Sequence, residues 1–258
     1  MNSFDLKMLT HVRVGDVWIN ANEIAGYLAR YSENLFCLNY DPIWEVSRRG
    51  TCSLLRYKNG FYAVSTFHQI RDLQADHLAI QSGREQRYVT GGALYWDERV
   101  HGPERDDAFD LAVIDYTQTT ERGLIDDRMF WPHFGLEFLR NNEAINFLFV
   151  IGFADSDQSN DMIEDSDGNF RLEHMTLSKR MISCSYGGNS YQSEVFLAEM
   201  HRQVDIDPNG FSGSPVFAIC GSEGEYCVKF AGIVLRAGGG RFHCLKHTRI
   251  RSLLDHKI

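Results

Sequence analysis

Apolar and β-branched residues in this chain come in short runs, seldom longer than one strand, and the runs alternate with glycine- and asparagine-bearing turns. From Leu35 onward the runs are LFCLNY, TCSLLRY, FYAVSTF, HLAIQ, RYVTGGALYW and DLAVIDY. A second set follows: INFLFVIGF, RLEHMTLSKRMISCSY, VFLAEMHRQV, GSPVFAI, YCVKFAGIVLR and RFHCLK. Such spacing predicts an all-β protein of antiparallel barrels or sandwiches, with Lys58-Asn59-Gly60 as one hairpin turn. Two stretches break the pattern. In NANEIAGYLARY the apolar positions Ile24, Ala25, Tyr27, Leu28 and Tyr31 follow helical spacing, with Asn20 or Asn22 as cap. The final RIRSLLDHKI reads as a closing helix.

This pattern divides the chain into an N-terminal extension (1–32), a first strand-rich unit (33–140) and a second (141–258), the two units meeting near FLRNNEAIN. The acidic stretch DSDQSNDMIEDSDGN at 155–169 reads as a solvated loop, and its DSDGN lacks the ligand spacing of a calcium-binding EF-hand.

Composition narrows the classes. With 43% hydrophobic and 24% charged residues, the chain reads as soluble and globular. A net charge of −9 argues against a nucleic-acid partner, which needs a basic footprint. The basic cluster of Arg48, Arg49, Arg56 and Lys58 reads as a solvated edge. The longest apolar run, INFLFVIGFA, falls short of the roughly 18 residues of a membrane span, so no membrane partner is expected. The N-terminus lacks a charged-then-apolar leader pattern, which points to a cytoplasmic protein. Six cysteines form no CxxC pair and read as small core residues, with a Cys220–Cys227 disulfide across a hairpin as an open alternative.

Three local contexts carry candidate chemistry. In GFYAVSTFHQI a β-type run delivers His68 to a strand tip. In DDAFDLAVIDY, Asp110 precedes an apolar strand and would be half-buried. In DPNGFSGSPVF, Ser212 lies in a glycine-rich turn before another strand. Each alone has a plain structural explanation. Together they hold the parts of serine-based acyl transfer. A hydroxyl barely ionises at neutral pH, so a histidine must take its proton and a carboxylate must orient that histidine. Backbone N–H groups must also face the developing oxyanion.

The order and flanks of these residues resemble the trypsin-like (chymotrypsin-fold) serine peptidases, especially the bacterial, disulfide-poor branch that includes glutamyl endopeptidases. Thr66-Phe67-His68, Asp110-Leu111-Ala112 and Gly210 to Pro215 match that family's three motifs. Ala231 to Val234 resembles the strand flanking the substrate, and Arg49-Gly50-Thr51 the opening of an early strand. The resemblance implies two antiparallel six-stranded β-barrels with the site in the cleft between them. It implies His68 as general base and acid, Asp110 as its orienter, and Ser212 as nucleophile. The N–H groups of Gly210 and Ser212 would form the oxyanion hole. Ile206 would floor the specificity pocket, and Val234, Leu235, Arg236 and Ala237 would line the substrate, with His243 or His247 as further candidates. Three residues depart from the pattern: Phe67 before the histidine, Gln69 in place of a cysteine after it, and Phe211 in place of an aspartate before the serine.

An α/β-hydrolase elbow is excluded by order, because only Asp255 follows Ser212 among aspartates. A zinc site at His243-Cys244-x-x-His247 is disfavoured, since strand alternation would put Cys244 on the opposite face from both histidines. The expected function is therefore a cofactor-free, metal-free serine endopeptidase acting on protein or peptide substrates. A catalytically inactive peptide-binding module of the same fold is the competing reading. Gating of the cleft by residues 1–30 or by a regulatory protein partner is a further expectation.

Overall fold

Strand pairing divides the described residues into two large sheets and a separate two-stranded hairpin. The computed structural model describes residues 11–39, 41, 43–83, 87–101, 107–134, 144–164, 166, 168, 170–201, 207–222 and 226–257. The N-terminal part contains strands β1 (His11–Val14) and β2 (Val17–Asn20), then helix α1 (Ile24–Ala29). The first sheet is built from β3 (Ser32–Leu38), β4 (Val46–Tyr57), β5 (Gly60–Ser65), β6 (Leu78–Gln81), β7 (Tyr88–Thr90), β8 (Ala93–Trp96) and β9 (Ala112–Asp115). It is followed by a short helix, α2 (Thr117–Glu121). The second part holds β10 (Ile145–Phe153), β11 (Ser159–Glu164), β12 (Phe170–Thr176), β13 (Lys179–Asn189), β14 (Val195–Met200), β15 (Pro215–Cys220), β16 (Cys227–Gly238) and β17 (Arg241–Lys246). Helix α3 (His247–Lys257) closes the chain.

In the second sheet the order β15-β10-β13-β14-β17-β16, together with the β15–β16 pairing, closes six strands into a barrel. The first sheet runs β7-β6-β3-β4-β5-β9-β8 and forms a half-barrel among the described residues. The all-β, two-barrel architecture expected from the sequence is therefore the one observed. Short apolar runs make this possible because each strand buries a face while its edges pair with neighbours on both sides.

The N-terminal segment is more than a helix. Asn20 caps the turn before α1 as expected, its Oδ1 accepting the Asn22 N–H at 3.0 Å. Ahead of it the β1–β2 hairpin joins the second sheet, with Arg13 paired in parallel to Cys227. Val12, Val14, Ile24, Leu28 and Tyr31 are buried in a core shared by both halves. Aromatic rings run through that core: Tyr31 meets Trp131 at 5.1 Å, and Trp131 meets Phe217 at 5.0 Å. Residues 11–31 thus pack one apolar face into the core, while Val17 and Trp18 on the hairpin are exposed.

Several local expectations change. The stretch read as an acidic loop contains strand β11, which pairs with β12 in a separate two-stranded hairpin. Polar residues on both faces hid this strand, since it buries neither face. The junction FLRNNEAIN lies mostly outside the described residues, which resume at Ala144. All six cysteines are buried free thiols, and Cys220 and Cys227 stand opposite each other in register. Burial pushes the Cys184 thiol up to about 12 and holds the thiolate form out of reach.

His247 belongs to helix α3, not to the strand before it, so strand alternation does not govern the pair His243 and His247. Its ring is buried and bonded to the Ala231 backbone, and desolvation lowers its pKa from 6.5 to about 4. The ring stays neutral in the fold, whereas the unfolded chain protonates it below about pH 6.5. Stability from this group is present above that pH and is lost as pH falls towards 4. Between pH 7 and 5 the loss is expected to be roughly 2 kcal/mol. Urea unfolding of wild type and His247→Gln across that range checks this: the variant should lose distinctly less stability on acidification.

Candidate active site

The histidine and the aspartate meet because of strand register. β5 and β9 are antiparallel and end their pairing at Ser65↔Ala112. His68 lies just beyond the end of β5 and Asp110 just before β9, so both leave the sheet at the same edge. Phe67 to Gln69 form a single 3-10 turn, and Phe67 is buried against Trp96 with ring centroids 5.8 Å apart. The unusual phenylalanine therefore anchors the turn in the first core and leaves His68 facing outwards.

Asp110 grips His68 twice. Its Oδ1 accepts the His68 backbone N–H at 2.8 Å, and its Oδ2 lies 2.6 Å from Nδ1. An ionised carboxylate only accepts, so Nδ1 carries the proton and Nε2 presents a lone pair. Nε2 has Thr66 Oγ1 at 3.5 Å, the outer limit of a hydrogen bond. The His68 side chain is 49% exposed and that of Asp110 22%, which fits a base open to substrate with its orienting carboxylate behind it.

Ser212 reaches the same cleft from the second barrel. The turn before β15 is stitched to β16 by Gly213 N–H to Val234 O at 2.8 Å and Val234 N–H to Ser214 O at 2.9 Å. Phe211 is fully buried and packs on Phe242 at 5.6 Å. An apolar plug thus anchors this turn where the sequence resemblance would place an aspartate. Gly210 has φ +91°, and a Cβ there would come within 2.5 Å of Asp155 Oδ1 and of the Phe153 carbonyl. Only glycine fits both the backbone and the space.

The oxyanion-hole candidates follow from the peptide planes. The Asn209 carbonyl accepts the Asp155 N–H, and the Phe211 carbonyl accepts the Ser214 N–H, each at 2.9 Å. In a trans peptide the N–H points opposite to the C=O. With these carbonyls held back, the Gly210 and Ser212 N–H groups project the other way, and neither is bonded among the described residues. Next to them, the Gly210, Ser212 and Gly213 carbonyls are bound from the first sheet. Thr51 Oγ1 donates to Gly210 O at 2.7 Å, Gln69 Nε2 to Ser212 O at 3.1 Å, and Ser53 Oγ to Gly213 O at 2.8 Å. Gln69 so ties the residue after the histidine to the residue carrying the hydroxyl.

The Ser212 hydroxyl itself does not bond to His68. Its Oγ donates to the Leu235 carbonyl at 2.9 Å. That carbonyl sits at a bulge: β16 pairs Val234 with Cys244 and then Arg236 with His243, leaving Leu235 unpaired on β17. On its other side, β16 pairs with β15 as far as Ile233 and Val234 bonds Gly213 and Ser214, so Leu235 to Ala237 form an edge without a strand partner on that side among the described residues.

His68, Gly210, Ser212, Leu235, Arg236 and Ala237 line one cavity of about 520 Å³, as do Arg48, Arg49 and Asp155. Val234 lies behind it, fully buried. Ile206 lies outside the described residues. Arg48, expected on a solvated edge, is instead 3% exposed. It binds the Asp155 carboxylate, Asn34 Oδ1 at 2.6 Å and the Phe153 carbonyl at 2.6 Å. Arg236 pairs with Asp107 across the cleft at 2.9 Å. Thr51, Ser53 and Ser65 went unnoticed in the sequence, although hydroxyls interrupting otherwise apolar strands were the available signal. All three are fully buried and hydrogen-bonded.

The chain has the chymotrypsin-like two-barrel fold. Its solved structural neighbours include two scabies mite proteins, the inactivated protease paralogues S-I1 and S-D1. The S-I1 structure is 12% identical with a TM-score of 0.52, covering 89% of this chain and 94% of that one. The S-D1 structure is 11% identical with a TM-score of 0.52, covering 90% of this chain and 95% of that one. No family model matches the chain, and no curated protein does. At this identity the likeness concerns the fold.

Because Phe211 plugs the second core beneath the nucleophile turn, Phe211→Ala should cost about 3–5 kcal/mol of stability. Denaturant unfolding at fixed pH measures this, and a cost below about 1 kcal/mol would mean the turn is held by its hydrogen bonds alone.

Proposed function

We propose that the protein is a serine endopeptidase that cleaves peptide bonds through an acyl-enzyme. The observation that carries this reading is the bidentate Asp110–His68 pair, which leaves Nε2 basic in the cavity that Ser212 also lines. In this reading His68 takes the Ser212 proton as Oγ attacks the substrate carbonyl. The oxyanion then forms against the Gly210 and Ser212 N–H groups. His68 next protonates the leaving amine, and water repeats the sequence on the acyl-serine. The acyl half of the substrate adds a strand to the edge at Leu235 to Ala237, with Val234 buried behind it. On its motifs and its free thiols, the protein stands with the bacterial, disulfide-poor branch of trypsin-like peptidases. No cofactor takes part in this chemistry, and a cytoplasmic setting with a restraining partner belongs to the same reading.

A second reading, a peptide-binding module without turnover, is favoured by the Ser212–Leu235 hydrogen bond. A small cost supports the first: turning the hydroxyl away from Leu235 gives up one hydrogen bond, about 1 kcal/mol. A substrate strand on this edge also competes for the Leu235 carbonyl, so docking helps to free the nucleophile.

A fluorophosphonate probe tests the reading. Stoichiometric labelling of wild type and none of Ser212→Ala is expected. Ser212→Ala and His68→Ala should each lower peptide turnover by about 10⁴-fold. An unlabelled wild type that still binds peptides would establish the binding module instead.

A further inference from the structure

Among the described residues, the cleft has one basic side chain without a carboxylate of its own. Among those lining it, Arg48 is neutralised by Asp155 and Arg236 by Asp107, while His68 is a neutral imidazole hydrogen-bonded to Asp110. Arg49 is exposed and makes no ion pair among the described residues. Strand register explains why it reaches the cleft at all. β4 pairs Gly50 with Leu35 and then Arg48 with Phe36, so Arg49 is the extra residue of a β-bulge. Without the bulge, strict alternation would send Arg48 and Arg49 to opposite faces. The bulge re-aims the chain locally, and both arginines line the same wall.

The position of that wall decides what it can bind. In the proposed reaction the acyl half of the peptide lies along β16. The leaving half departs past His68, which must protonate its amine. The lining that does not come from β16, Arg49 in β4, Gln69 beside His68 and Asp155 after β10, is then left for the residues that follow the scissile bond. Asp155 is already committed to Arg48, so Arg49 is the unneutralised charge there.

We infer that Arg49 selects an acidic side chain in the first two substrate residues after the cleaved bond. This rests on the endopeptidase reading above. Arg49 is a point of charge complementarity at an exposed rim, so its effect is moderate and sensitive to salt. A peptide-library digest, with cleavage sites read by mass spectrometry, tests it. Wild type should show Asp and Glu enriched about five-fold at those two positions at low salt, fading towards parity near 0.5 M salt. Arg49→Gln should lose the enrichment, and Arg49→Lys should restore most of it. Cleavage without acidic enrichment, or enrichment that survives in Arg49→Gln, overturns the inference and leaves the peptidase reading standing. No cleavage at all, checked beside fluorophosphonate labelling of the same preparation, overturns both.

Discussion

The turn that carries Ser212 is held by hydrogen bonds from the other half of the chain. Thr51, Ser53 and Gln69 each donate to a carbonyl of the turn that carries Ser212. Buried carbonyls must be satisfied, and each such bond adds only about 1 kcal/mol net while a lost partner costs more. The consequence is geometric as much as energetic. Once the carbonyls of residues 209 to 213 are all occupied, the free N–H groups of Gly210 and Ser212 have one remaining direction. The two halves of the chain cannot separate without dismantling the turn.

This dependence also explains the unusual residues around the site. Gln69 ties its turn to Ser212 O with its side-chain amide, and Gly50 leaves it room, since a Cβ there would lie 1.9 Å from Gln69 Nε2. Gly213 lies equally close to the first sheet, with a hypothetical Cβ 2.0 Å from the Thr51 carbonyl. Phe67 and Phe211 then fasten the turns that carry His68 and Ser212 from beneath, each into a different core. Apolar anchoring below and hydrogen bonding across the cleft leave the functional groups themselves free of structural duty.

Charge is distributed on the same economy. Arg48 lies beneath the nucleophile turn and is matched by Asp155, while Arg236 on the substrate edge is matched by Asp107 from the other half. A buried unpaired charge would be costly, so these pairs are conditions of the architecture more than sources of stability. Bulges in β4 and β16 set which side chains and carbonyls face the cleft. The unpaired Arg49 and the Leu235 carbonyl are both products of those irregularities.

Much of this was legible in the residue pattern. Short apolar runs marked the all-β fold, helical spacing marked α1 and α3, and motif order singled out His68, Asp110 and Ser212. Those signals are local, since periodicity and turn chemistry act over a few residues. The β1–β2 hairpin and β11 escaped notice. One takes its place by pairing with a strand some 200 residues away, and the other buries no apolar face. Arg48 looked like a surface charge because its partners, Asn34, Phe153 and Asp155, lie far along the chain. The sequence by itself determined which residues are candidates for acyl-transfer chemistry. Only the tertiary structure decided that the hydroxyl rests on Leu235, that Gln69 bridges the halves, and that Arg49 faces the cleft. Register shifts and long-range hydrogen bonds depend on where strands meet, and no short stretch of residues encodes that meeting.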